Sequence, residues 1–107
     1  MAEVKIYHNP LSERDRLYDK DNQLLNRPAL KDCELVATVE VPEDAGINWQ
    51  LEIAFERTNT IKTQWWHNDY VTSHFSNPKG CRSTSVGDFA VISDKVYICE
   101  NVGWNII

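Results

Sequence analysis

Long apolar runs are missing from this chain of 107 residues: no stretch approaches the ~20 residues that span a bilayer. The opening Met1-Ala2-Glu3-Val4-Lys5 also lacks the basic-then-apolar pattern of a secretory leader. Integral-membrane architecture is therefore excluded, and a cytoplasmic protein with no membrane partner is expected. Basic residues are scarce as well. Eleven Lys and Arg stand against sixteen Asp and Glu, a net charge of −5. Residues 1–60 hold seven bases and twelve acids, whereas residues 61–107 hold four of each. Duplex binding draws much of its free energy from phosphate neutralisation, so nucleic acid is disfavoured as a partner. An acidic half facing a basic surface of another protein is easier to support.

Paired cysteines are absent. Cys33, Cys81 and Cys99 are odd in number and far apart, with no Cys-x-x-Cys spacing. That excludes the disulfide framework of a small secreted domain and predicts reduced, mostly buried thiols. No metal and no cofactor are expected. His67, Asp69, His74 and Cys81 fall within fifteen residues, but the histidines are seven apart, wider than the usual zinc pair. Asp19, Asp21 and Gln23 imitate the start of a calcium loop, yet Leu24 stands where glycine is required and Leu30 where the bidentate glutamate belongs.

What is present is enough for one core. Hydrophobic residues make up 42% of the chain and charged residues 25%, ordinary values for a single folded domain. Val4–Tyr7 reads as a short strand ended by Asn9-Pro10. Residues 11–32 read as a loop with one helical turn. Leu35, Ala37, Val39 and Val41 alternate with Val36, Thr38 and Glu40, a period of two that predicts a strand.

Pro42 to Gly46 break that strand, and Ile47, Leu51, Ala54, Phe55 and Thr58 then form a stripe at helical spacing. A helix over about residues 47–58 follows, with Gln50, Glu52, Glu56 and Arg57 on its outer face. Asp44 or Asn48 is expected to cap its start and Asn59 to end it. Tyr70–Phe75 reads as another strand. Phe89–Ile92 and Val96–Cys99 read as a hairpin about Ser93-Asp94-Lys95, with a last strand near residues 102–107. The fold expected is α+β: a single small domain over residues 1–107, mostly antiparallel sheet, with one main helix packed on it.

Two segments carry more chemistry than a connector needs. In Thr58–Asn68, Trp65 and Trp66 stand together beside His67, with Asn59 at the helix end. Paired tryptophans serve either as a core plug or as an exposed anchor or stacking platform, and at least one is expected in the core. In Gly80–Asp88, Arg82, Ser83, Thr84 and Ser85 could hold an anion. The alternative has Gly87 in a positive-φ turn and Asp88 bonding nearby amides. A phosphate loop normally feeds a helix N-terminus, whereas this segment feeds a strand. Ser83 or Ser85 with His67 or His74 and Asp69 or Asp88 would supply a hydrolytic triad in residue type alone. With no nucleophile elbow in the sequence, no catalytic residue is assigned.

The strings Ala54-Phe55-Glu56-Arg57-Thr58-Asn59, Trp65-Trp66-His67-Asn68 and Arg82-Ser83-Thr84-Ser85-Val86-Gly87-Asp88, closed by Tyr97 and Gly103-Trp104, bear a further reading. Their order resembles small uncharacterised proteins of phages, plasmids and other mobile elements. The resemblance covers residues 54–104 and leaves residues 1–45 outside it. It implies a genomic setting and carries over no catalytic residue. The function expected is a non-enzymatic accessory protein that binds a host or defence protein, with inhibition of it as a candidate consequence. The alternative is a small nucleic-acid- or nucleotide-binding module using Trp65, Trp66 and Arg82. The binding residues expected are Asn59, Trp65, Trp66, His67, Arg82, Ser83, Thr84, Ser85 and Asp88.

Overall fold

Alternation of apolar and polar residues in the first strand sets the architecture. In the computed structural model, which describes residues 1–10, 30–100 and 103–106, strand β1 runs Ala2–His8 and buries Val4, Ile6 and His8 while Glu3 and Lys5 face out. It pairs antiparallel with β2, Glu34–Val41, on one side and with β4, Phe89–Ile92, on the other. The short β3, Val71–Ser73, adds to β2. Strands β5, Lys95–Glu100, and β6, Gly103–Ile106, complete an antiparallel sheet in the order β3-β2-β1-β4-β5-β6. The N-terminal strand β1 thus lies inside the sheet, between β2, the next strand along the chain, and β4, which comes from its second half.

Strand β2 departs from simple alternation. Ile6 pairs with Ala37 but Tyr7 pairs with Leu35, so Val36 is an extra residue, a β-bulge. The bulge lets both Val36 and Ala37 be buried. It also leaves the Val36 carbonyl to accept the His74 N–H at 2.8 Å, beyond the end of β3. The hairpin of β4 and β5 turns at Ser93-Asp94, with Ser93 at φ 43°. Residues 11–29, where a loop with a helical turn is expected, lie outside the described residues, as do 101, 102 and 107. Leu30–Asp32 forms a single 3-10 turn.

Helix α1 spans Ile47–Arg57 and packs across β2 and β1. Its buried residues are Gln50, Leu51 and Ala54, continued by Thr58. The buried stripe is therefore turned toward Gln50 and away from Phe55. Ile47 is exposed, and Phe55 is half-buried with its ring edge-on to Trp104, 6.3 Å between centroids. Gln50, expected on the outer face, donates through Nε2 to the carbonyls of Pro42 at 3.0 Å and Ala45 at 3.1 Å, tying the preceding turn to the helix.

Neither Asp44 nor Asn48 caps the start, where Gly46 occupies the cap position with no side-chain bond. The exit is closed more thoroughly. Thr58 Oγ1 donates to Ala54 O, Asn59 Nδ2 to Phe55 O, and Asn68 Nδ2 to Arg57 O, which satisfies carbonyls a helix end leaves open. Under the helix, Val4, Ile6, Val39, Val41, Leu51, Ala54, Trp65, Ala90 and Ile92 belong to one buried cluster.

Candidate functional site

The two chemistry-bearing loops meet at Trp65. The segment after α1 makes one 3-10 turn, Trp65–His67, that drops the Trp65 indole into the core at 0% exposure. Its Nε1–H is shared between the carbonyls of Cys81, 3.1 Å, and Arg82, 3.0 Å. A buried indole needs such an acceptor, and the 81–88 loop provides it. Further bonds lace the loops together: Thr60 N–H donates to Ser83 Oγ at 2.9 Å, and Thr84 N–H to Thr58 O at 3.0 Å.

Trp66 is half-buried, edge-on to Trp65 and to Phe75. Gly80 lies against its ring: a Cβ there would stand 2.5 Å from Trp66 Cη2, and Gly80 holds φ +119°. His67 is exposed beside the Trp66 ring. The pair expected to supply a core residue does so through Trp65.

Arg82 and Asp88 close the second loop on itself. Asp88 is fully buried and receives Arg82 Nη1 at 2.6 Å and Nη2 at 2.7 Å, in the fork geometry that suits guanidinium and carboxylate. The same carboxylate accepts the backbone N–H of Ser85 and of Asn9, both at 2.8 Å. Gly87 holds φ 92°, so the turn-and-local-amide alternative describes the geometry seen. Arg82, 35% exposed in its side chain, also donates to the carbonyls of Ser83 and Asn9.

Two further members come from the end of β1, which sequence reasoning did not select. His8 Nε2 lies 3.0 Å from Thr84 Oγ1 and 3.8 Å from Asp88 Oδ2. Asn9 Nδ2 donates to Gly87 O. Their only signal was position, at the close of a strand before Pro10.

The Cys81 sulfur lies 3.4 Å from His8 Nδ1, at a cleft of about 280 Å³ that Arg82 and Phe75 also line. Burial pushes the Cys81 thiol up to about 11, so at neutral pH the sulfur keeps its proton. Cys33 and Cys99 are likewise raised by burial, to about 11 and about 12. None of the three forms a disulfide; Cys99 is buried, whereas Cys33 and Cys81 are half-buried. His74 bonds Thr38 rather than any group of the 81–88 loop. Among the described residues, no group of three or more His, Cys, Asp and Glu is arranged to hold a metal.

A second cleft, about 300 Å³, opens where α1 ends, lined by Glu56, Arg57, Asn59, Ile61, Lys62, Thr63 and Asn68. Ile61 is 73% exposed at its lip. Arg57 donates to Asp69 O and lies over the Tyr70 ring, 5.2 Å from its centroid. Of the expected binding residues, Asn59 alone lines this cleft, while Arg82 alone lines the first. Trp65, Thr84 and Asp88 are buried.

No family model matches the chain, and neither a curated protein nor a solved structure does. The fold and site define an α+β domain with a six-stranded antiparallel sheet among the described residues and one main helix. No helix among them is long and apolar enough to cross a membrane.

Proposed function

We propose that this chain is a non-enzymatic protein-binding module, an accessory protein of a phage or mobile element that engages and inhibits a host or defence protein in the cytoplasm. The observation that carries the reading is Ile61, 73% exposed at the mouth of a 300 Å³ cleft, on a loop pinned at Thr58, Thr60 and Trp65. An apolar side chain presented by a rigidly fastened loop suits a protein anchor, because little ordering entropy remains to oppose binding. The acidic balance of residues 1–60 supports a protein rather than a polyanion as partner. The mobile-element setting rests on the resemblance over residues 54–104.

The test is a tagged pull-down from host lysate, with and without nuclease. One protein should be retained under both conditions and lost with Ile61→Asp, a variant melting with the parent. Retention that disappears with nuclease would overturn the reading in favour of nucleic acid.

A further inference from the structure

Helix α1 carries on its solvent side a group of residues that its own stability does not explain. Trp49 is 64% exposed. Counting at helical spacing, Glu52 and Glu56 follow at i+3 and i+7, on the side opposite the buried Gln50, Leu51 and Ala54. Both carboxylates are exposed, and neither has an ion-pair partner among the described residues.

Helix electrostatics disfavour this arrangement. Glu52 and Glu56 are like charges at i, i+4, which repel. Glu56 lies in the last turn, where the negative end of the helix dipole favours cations, while no acid occupies the first turn. An indole left in water gains nothing from burial either. A bound cationic group would reverse each of these terms: it would sit on the ring face and between two unpaired carboxylates.

We propose that Trp49, Glu52 and Glu56 form the docking surface for a Lys- or Arg-rich segment of the protein partner. The proposal rests on the protein-binding reading and names the chemistry of the partner. Glu56 also lines the Ile61 cleft, so the acidic helix face is continuous with that cleft: Ile61 anchors an apolar residue while the helix face selects basic ones. Arg57, the only base on the helix, is turned to Asp69 and Tyr70.

The experiment titrates the full chain with an unstructured Arg/Lys-rich peptide, and with a neutral peptide of equal length, by ¹H–¹⁵N NMR. The indole N–H signals are assigned by single Trp→Phe variants. The Trp49 indole signal should move saturably with the basic peptide alone, while that of buried Trp65 stays put. Glu52→Gln with Glu56→Gln should weaken binding by about fivefold, and Trp49→Ala by about threefold. The double change Glu3→Gln with Asp94→Asn, equal in charge and away from α1, should leave affinity within about 1.5-fold, since screening hides distant charges.

Equal weakening by both double variants would reduce the effect to net charge and overturn the proposal. So would Trp49→Ala binding as the parent does. Failure here with Ile61-dependent capture intact would leave the protein-binding reading standing. Peptide binding at Trp49 with no protein captured from lysate would overturn that reading and retain the cationic site.

Discussion

Arg82 and Asp88, six residues apart on one loop, are joined by two N–H···O bonds of 2.6 and 2.7 Å, with the carboxylate buried completely. The pair works as a staple. Through Asn9 it also binds the end of β1, so that one ion pair fastens the first strand to a segment more than seventy residues on.

Removing the guanidinium leaves a buried carboxylate with only amide donors and His8 beside it. Arg82→Ala should cost about 2–4 kcal/mol, the lower part of that range following from the partial exposure of Arg82. Arg82→Lys should recover little, because an ammonium cannot make the forked contact. Urea denaturation of both variants checks this; an Arg82→Ala midpoint equal to the parent's would show the staple to be idle.

Trp65 and Phe55 should behave unlike each other. Trp65→Ala removes a fully buried ring and strands two carbonyls, a loss of about 3–5 kcal/mol in a domain that has about 5–15 in all. Phe55→Ala removes a half-buried ring whose aromatic contact is Trp104, and about 1–2 kcal/mol is expected. Partner capture measured beside melting temperature separates the roles. Trp65→Ala and Arg82→Ala should lose binding only in proportion to unfolding.

Gly80 is required by its neighbour as much as by its own backbone. Gly80→Ala would set a Cβ against the Trp66 ring at a φ of +119°, costing about 1–3 kcal/mol. Trp66→Leu in the same background should restore part of that loss by removing the clash, which thermal melts of the two variants and their combination would show.

Thiol burial imposes a dependence on alkaline pH. The folded thiols lose their protons near pH 11 to 12, against about 8.5 for an exposed cysteine. Below the unfolded value both states hold the proton, so stability does not change with pH on this account. Above it the unfolded chain releases protons first, and stability falls as pH rises toward 11. Cys99→Ala should flatten that decline, measured by urea midpoints between pH 8 and 10.5. The native thiols should also react with iodoacetamide far more slowly at pH 8 than those of the unfolded chain.

The sheet and the helix were legible because they rest on local periodicity. Val4 and Ile6 alternate with Glu3 and Lys5, Phe89–Cys99 reads as a hairpin, and Leu51, Ala54 and Thr58 repeat at helical spacing. Each pattern is complete within about a dozen residues, so composition and order determine it without reference to the rest of the chain. Details that depend on a partner were not legible in the same way. The Val36 bulge belongs to the register of β2 against β1, the inward turn of Gln50 to the carbonyls of Pro42 and Ala45, and the half-burial of Phe55 to Trp104 of β6.

The site divides along the same line. Sequence alone marked the Trp65-Trp66 and Arg82–Asp88 segments as too rich for connectors, and both proved to be in contact. Whether each residue faces solvent or the interior was decided by tertiary structure. Trp65 went inward because Cys81 and Arg82 offered carbonyls to its indole, and Arg82 folded back because Asp88 and Asn9 were within reach. His8 joined them from β1 since strand pairing placed the end of β1 beside the start of β4. Hydrogen bonds between distant residues have no period in the sequence, so only the folded chain could choose them.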